Sequence, residues 1–389
     1  MYEDRLSELN PRFLVYHTSD NESHLYFSIK SEGLLYVREN VSEPFAATIN
    51  ISYEIYTDKD KKVLVDTATN ALQDVKTTKE NKTIVGRLPL KISKGKNYYL
   101  VAQVQDINKK VVASTKIFVD KTNTTNKQFF LIKNANNQVC FDLNFSKEQK
   151  ISIESKINQV LSVDWQYYQT DQGIAKPPFS DKKYYYIGDS FDSTITQKAV
   201  NGLVDLSLFE PGNYLFNVNN KPSFIVSLFE DEFPKVTSHE QMVKPIRYIC
   251  TNAEYQALVD ATDKKAAVED FWLKIGRSKE RAKMLIREFY GRVEFANKYF
   301  TSYKEGWKTD RGMLSIVMGP PNSISTSAKG ETWVYGTSSN MIMSLTFSFD
   351  RLNEGFINDD YQLNRYRSYK DYWYRAVDTW RSGRVYSFN

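Results

Sequence analysis

The sequence has few of the residues on which many catalytic and metal sites depend. Its 389 residues include only three histidines and two cysteines, Cys140 and Cys250. The cysteines are far apart and have no metal-type spacing, so two buried free thiols are expected, with a single disulfide as the alternative. Three histidines supply little material for a metal site or a catalytic triad. The sequence therefore predicts no metal and no cofactor.

Long apolar runs are also missing. No stretch approaches the 18 consecutive apolar residues typical of a transmembrane helix, and residues 1–5 are not the apolar core of a secretory signal. A net charge of +5 is mild for this length and does not favour nucleic-acid binding. Hydrophobic residues make up 41% of the chain, which is ample for folding, and the length favours two to four domains.

The first part of the chain has the two-residue hydrophobic period of β-strands. Apolar and polar residues alternate, for example at 25–29 and 99–104, and polar turns separate the runs. The short polar segment 121–127 is predicted to be a linker or a long loop. We therefore expect two tandem Ig-like β-sandwiches, at residues 1–121 and 127–232.

Two tyrosines at equivalent positions support a repeated module. Each follows a leucine by eight residues, with a glycine in between, which predicts a tyrosine corner whose hydroxyl bonds nearby backbone. The matching sets are Leu90, Gly95 and Tyr98 in the first copy, and Leu206, Gly212 and Tyr214 in the second.

The C-terminal part, residues 236–389, changes to the period of helices. Capping boxes begin at Ser238 and Thr251, and apolar residues then recur at three- and four-residue steps. This segment is predicted to be an α+β domain, with helices first and a small antiparallel sheet after them. The helices are expected at 264–275 and 279–303, and the strands at 314–318, 332–335 and 341–349.

The heptapeptide 306–312, Gly-Trp-Lys-Thr-Asp-Arg-Gly, concentrates rare residue types at the predicted helix-to-strand junction. A structural interpretation gives every member a duty. Gly306 ends the long helix in a left-handed conformation, Trp307 anchors it, Thr309 and Asp310 bond local amides, Arg311 pairs with Asp310 or Glu294, and Gly312 allows a tight entry into a strand. Ligand recognition is the second interpretation. Catalysis is the third and weakest, because no histidine lies near Asp310 in sequence, and no catalytic residue is predicted.

A second candidate surface is the basic and aromatic segment near the C-terminus. Tyr, Trp and Arg dominate protein–protein hot spots, and the same residue types also bind single-stranded nucleic acid. Some of these aromatics are expected to close the core of the last domain. We predict a protein partner and no nucleic acid, with the candidate contacts Arg365, Tyr366, Arg367, Tyr372, Trp373, Arg375, Trp380 and Arg381.

The C-terminal third resembles the GWxTD domain family, which is named for the motif at 306–310. The resemblance continues through Phe271-Trp272, through the stretch 292–297 and through Trp333-Val334-Tyr335, and it covers about residues 236–389. Similar proteins are typical of Bacteroidota and usually carry a leader or lipoprotein signal. The family has no established activity, so the resemblance implies a location and an architecture rather than a reaction.

The resemblance therefore implies a non-enzymatic, outer-membrane lipoprotein-type protein of the cell envelope. We expect a subunit or accessory of an outer-membrane protein assembly or secretion complex, with other envelope proteins as partners. A lipid anchor absent from this chain would attach it to the membrane, on the periplasmic or the surface side. The alternative is a carbohydrate-binding or hydrolytic envelope protein with a cleft around Asp310 and Glu294.

Overall fold

The computed structural model describes most of the chain, and its strands and helices are strongly segregated. Among the described residues, β-strands fill the first part, and the α-helices begin at residue 239. The described residues are 9–77, 81–146, 148–157, 162–169, 173–181, 191–198, 201–230, 232–327, 330–336, 344–352 and 360–388.

The first β unit consists of two antiparallel sheets with the strand orders β1-β2-β5 and β4-β3-β6-β7. Alternate side chains of both sheets enter one hydrophobic core, as the period-two pattern predicts. Its strands are β1 (Arg12–His17), β2 (Glu22–Lys30), β3 (Ala46–Tyr56), β4 (Leu64–Val75), β5 (Thr83–Lys91), β6 (Asn97–Asp106) and β7 (Val111–Asp120).

The second β unit also has two sheets around one core, with the orders β13-β10-β8 and β12-β11-β14-β15-β9. All pairs are antiparallel except β15 with β9. Its strands are β8 (Leu131–Asn134), β9 (Asn144–Phe145), β10 (Gln149–Glu154), β11 (Ser162–Tyr168), β12 (Ser193–Lys198), β13 (Leu203–Leu208), β14 (Gly212–Val218) and β15 (Lys221–Leu228).

Both predicted tyrosine corners are confirmed. The Tyr98 hydroxyl donates to the Ser93 carbonyl at 3.1 Å and accepts the Ser93 N–H at 3.0 Å. The Tyr214 hydroxyl does the same with Glu210, at 2.7 and 3.2 Å. In each unit, one buried ring therefore fixes the turn that precedes a core strand.

The C-terminal part contains the predicted helices and then a four-stranded antiparallel sheet in the order β16-β17-β18-β19, with one more helix at the end. Among its described residues, no helix is both long and apolar enough to cross a membrane. Its elements are α1 (His239–Ile246), α2 (Asn252–Asp260), α3 (Lys264–Gly276), α4 (Lys279–Phe300), α5 (Asp310–Met318), β16 (Ser323–Ser327), β17 (Gly330–Tyr335), β18 (Leu345–Arg351), β19 (Tyr361–Leu363) and α6 (Lys370–Arg381).

One predicted strand is wrong, because residues 314–318 belong to helix α5. Every residue of this helix is buried, so the apolar residues surround it and leave no helical stripe in the sequence. The predicted helix starts are confirmed, since Ser238 and Thr251 both form complete capping boxes. The long helix α4 ends at Phe300, three residues before its predicted end.

Both cysteines are free thiols and are partly buried. Burial raises the pKa of each thiol to about 11. At neutral pH both are therefore protonated, which makes them poor nucleophiles and poor metal ligands.

A buried polar chain joins the first β unit to the segment that leads into the second. The fully buried Lys121 ammonium donates to the Ser23 hydroxyl at 3.0 Å. That hydroxyl lies 2.7 Å from Nδ1 of His17, whose Nε2 lies 3.2 Å from the Asp120 carbonyl. The Asp120 carbonyl can only accept, so Nε2 carries the proton of a neutral His17, and Nδ1 accepts the Ser23 hydroxyl. The His17 ring also packs edge-on against Phe129 at 4.5 Å.

The second β unit is in turn packed against the helical part. Tyr303, in the loop after α4, forms a buried apolar cluster with three side chains of the five-stranded sheet. These are Tyr168 on β11, Leu215 on β14 and Ile225 on β15. They lie on the face opposite the core of the unit, so this sheet is covered on both sides.

Candidate functional site

The two glycines of the heptapeptide let three backbone segments approach closely. A Cβ at Gly306 would lie 1.8 Å from the carbonyl oxygen of Ala296 in α4, and a Cβ at Gly312 would lie 1.8 Å from the Gly306 carbonyl. Neither residue has a positive φ. The predictions that Gly306 ends the helix in a left-handed conformation and that Gly312 leads into a strand are therefore wrong. Glycine is required at both positions because any Cβ would overlap a neighbouring backbone carbonyl.

Trp307 anchors the turn, as predicted, and is only 6% exposed. Its backbone N–H donates to the Asn297 side-chain oxygen at 3.1 Å, and its carbonyl accepts the Tyr248 hydroxyl at 2.9 Å. Burial raises the pKa of Tyr248, which keeps the hydroxyl protonated as a donor. No local sequence pattern signalled Tyr248, which is 59 residues from Trp307, whereas Asn297 belongs to the stretch 292–297 that carries the family resemblance.

Thr309 connects the turn to the next helix. Its hydroxyl donates to the Gly306 carbonyl at 2.8 Å and accepts the Gly312 N–H at 3.0 Å, so that it caps α5. The predicted role of Thr309 in bonding local backbone is confirmed. The motif is therefore a corner between two helices rather than between a helix and a strand.

Asp310 fastens this corner to the sheet. The carboxylate accepts the Leu363 N–H on the edge strand β19 at 2.8 Å, and it forms a two-pronged ion pair with Arg365. Asp310 is 9% exposed, and its amide partner lies far away in sequence rather than next to it. Arg365 was predicted as a partner contact, but its guanidinium is buried in this ion pair.

Arg311 pairs with neither Asp310 nor Glu294, which corrects the sequence expectation. Its guanidinium forms a 3.3 Å ion pair with Glu331 on β17 and lies over the rings of Phe300 and Tyr361. Glu294 instead accepts the Val236 N–H at 3.0 Å. Because Asp310 and Glu294 are both occupied in this way, their geometry gives no support to a cleft with two free carboxylates.

Part of the second β unit covers the corner. Residues 173–181, which we call the strap, lie between β11 and β12 in the sequence. The Ala175 N–H donates to the Lys308 carbonyl at 2.9 Å, and the alanine side chain joins the hydrophobic core of the C-terminal part. Composition and periodicity did not link this segment to the motif.

Four of the other predicted partner contacts are wholly or partly inside the domain. Trp373 and Trp380 are buried in the core, and Tyr372 packs against it. Arg381 forms a two-pronged pair with Glu254 at 2.9 Å, and this hydrogen bonding lowers the pKa of Glu254 to about 2. The two tryptophans therefore stabilise the fold and present no contact surface.

The remaining candidates are on the surface. Tyr366 is 56% exposed, and Arg367 and Arg375 are also exposed. Tyr374, which was not among the predicted contacts, is 47% exposed on the same helix as Arg375. We call these four residues the tail face. In the described ranges, no group of three or more His, Cys, Asp or Glu side chains has the geometry to hold a metal ion.

Comparisons with known proteins identify the helical part. The chain has no match among curated proteins. Solved structures match it only remotely. Beta-glucuronidase 2 of Bacteroides uniformis is 13% identical, with 28% of this chain and 13% of that chain covered and a TM-score of 0.19. Alpha-2-macroglobulin of Escherichia coli, activated by porcine elastase, is 10% identical, with 57% and 23% covered and a TM-score of 0.15.

The match to a family model is more informative, and it extends over residues 212–382. It begins at Gly212, inside the second β unit, where strands β14 and β15 supply the side chains that pack on Tyr303. The match also includes the whole corner at 306–312. Residues 212–382 of this chain are therefore a GWxTD domain.

Proposed function

We propose that the protein is a non-enzymatic interaction protein of the cell envelope, a subunit or accessory of an outer-membrane protein assembly or secretion complex. The observation that carries the non-enzymatic part is the state of Asp310. Both of its oxygens are bonded within the protein, to Arg365 and to the Leu363 N–H. A carboxylate with these partners stabilises a corner and is not placed to transfer a proton to a substrate.

The tail face supports the interaction role. Tyr366, Arg367, Tyr374 and Arg375 expose aromatic rings and guanidinium groups, which are the residue types enriched at protein–protein hot spots. The envelope location and a lipid anchor outside this chain are proposed from the GWxTD resemblance. We further propose that the two β units are Ig-like sandwiches that act as spacers. Their paired sheets and their tyrosine corners are consistent with this architecture.

Affinity purification of the full-length protein from membranes tests this role. We expect a stoichiometric partner to be recovered with the unaltered chain. The partner should be lost from a variant that combines Tyr366→Ala, Arg367→Ala and Arg375→Ala. The matched control is Arg287→Ala on α4, another exposed arginine outside the tail face, which should retain the partner. Recovery of a lone monomer would sink the proposal.

A further inference from the structure

The strap lies on the GWxTD domain in the way that a bound peptide ligand would, with irregular backbone at 173–177 and a turn at 177–180 in which the Ser180 N–H donates to the Pro177 carbonyl at 3.0 Å. Its backbone makes three hydrogen bonds to the domain, and these require no particular strap side chain. The bonds join the Ala175 N–H to the Lys308 carbonyl at 2.9 Å, the Lys176 carbonyl to Nη2 of Arg365 at 3.1 Å, and the Pro178 carbonyl to the Tyr366 N–H at 3.2 Å.

Three strap side chains pack against the domain core and add selectivity, namely Ile174, Ala175 and Phe179. Ala175 is almost fully buried in the domain core, a position that admits only a small residue. Four residues later, the Phe179 ring packs on Tyr374 with 5.5 Å between the ring centroids. Pro177 and Pro178 lie between them and restrict the backbone before binding, which lowers the entropic cost of docking. The bound sequence has the form small, any, Pro, Pro, aromatic.

The surface beyond the strap is also recessed. An open groove of about 560 Å³ runs along α6 and the residues that follow it, and Tyr374 is one of its lining residues. Its lining side chains are of mixed charge, with Asp371 and Asp378 beside Arg375 and Arg384. A peptide that replaced the strap could continue into this groove and gain contacts that the strap does not make.

We propose that this surface binds a segment of a partner protein, of the type small-x-Pro-Pro-aromatic with a turn that begins at its first proline, and that the strap is an internal ligand which the segment displaces. The inference rests on the interaction role proposed above and gives that role a ligand. Because the strap is tethered, it acts at an effective concentration on the order of millimolar. A partner segment therefore displaces it by combining the strap contacts with contacts in the groove along α6.

The test measures binding of a fluorescein-labelled peptide of residues 173–181 to the full-length protein by fluorescence anisotropy. Ala175→Glu places a charged side chain where only a small one fits, so the strap is released and the surface itself is unchanged. We expect this variant to bind the peptide at least about tenfold more tightly than the unaltered chain. Adding Tyr374→Ala should remove most of that gain. Ala266→Glu, at an exposed alanine on α3, should bind like the unaltered chain.

Phe179→Ala removes the ring contact with Tyr374 and weakens binding of the strap without placing a charge in the core. It therefore replaces Ala175→Glu in the test if that variant does not fold. Equal binding to all variants, no binding to a folded strap variant, or no effect of Tyr374→Ala would each overturn the inference. A concentration-dependent dimer that the peptide dissociates would also overturn it, in favour of strap exchange between two copies. Recovery of a membrane partner together with failure of the peptide would remove this inference and leave the proposed function intact.

Discussion

At the scale of single residues, Gly306 and Gly312 hold α4, the turn and α5 in direct backbone contact. Gly306→Ala should destabilise the C-terminal part by about 2–3 kcal/mol, because its Cβ would overlap the Ala296 carbonyl on a helix that cannot yield locally. Five of the six tryptophans lie in this part, so urea unfolding followed by tryptophan fluorescence measures the effect.

Gly291 provides the matched control for this substitution. It lies in the same helix α4 as Ala296, and a Cβ there would meet no atom within 4 Å. Gly291→Ala should stabilise the domain by about 0.5–1 kcal/mol, since alanine is the better helix former. If Gly306→Ala behaved like Gly291→Ala, the close contact would not matter to stability.

Trp307→Ala should cost about 3–5 kcal/mol, as expected for loss of a large buried ring. The same urea titration measures this change, since four tryptophans remain in the domain. Phe209→Ala removes a ring that is 58% exposed in the second β unit and should leave the transition almost unchanged. A Trp307→Ala variant that stayed fully stable but lost its partner would instead show that the motif itself recognises a ligand.

At the scale of elements, the N-terminus of α5 is held to the edge strand β19 by the Asp310 carboxylate. Asp310→Asn keeps the shape but leaves the buried Arg365 guanidinium without its counter-charge, which should cost about 3 kcal/mol. Asp60→Asn makes the same change in an ion pair with Lys62 in which both side chains are about three-quarters exposed. The melting temperature should fall for the first variant and stay constant for the second, and equal melting temperatures would contradict the buried pair.

How far the sequence predicted these elements depended on the environment of each. Strands with one buried face, such as β3, keep a period of two, and helices such as α4 keep a stripe, so both were found. Helix α5 is buried on all sides and lost that signal. Capping residues and tyrosine corners were predictable because their partners lie within five residues. The pairs Asp310–Arg365 and Ala175–Lys308 were not, because only the tertiary fold brings them together.

At the scale of the whole molecule, the junction after the first β unit should weaken in acid. Burial lowers the pKa of His17 to about 4, from an ordinary value of 6.5. As the pH falls below 6.5, the unfolded chain takes up a proton that the folded chain resists. The stabilising contribution is therefore complete above pH 6.5 and is lost between pH 6.5 and 4, by about 3 kcal/mol in total.

Calorimetric melting at pH 7 and pH 4.5 measures this loss. His17→Gln should flatten the dependence, because glutamine carries no titrating proton in this range. His239→Gln is the control, since that residue lies at the start of α1 and outside the buried polar chain. If the melting temperature of the His17 variant fell between pH 7 and pH 4.5 as much as that of the unaltered chain, other groups would be responsible for the acid sensitivity.

The packing of Tyr303 on the second β unit limits where recombination can divide the gene without breaking the folded protein. A recombination event that cut the gene at residue 236 would separate Tyr303 from Leu215 and Ile225, and Arg365 from the Lys176 carbonyl. The transplanted half would expose an apolar patch and an empty peptide surface. A portion that keeps these contacts must include Tyr168 and the strap. It therefore starts inside the second β unit, upstream of helices α1–α6.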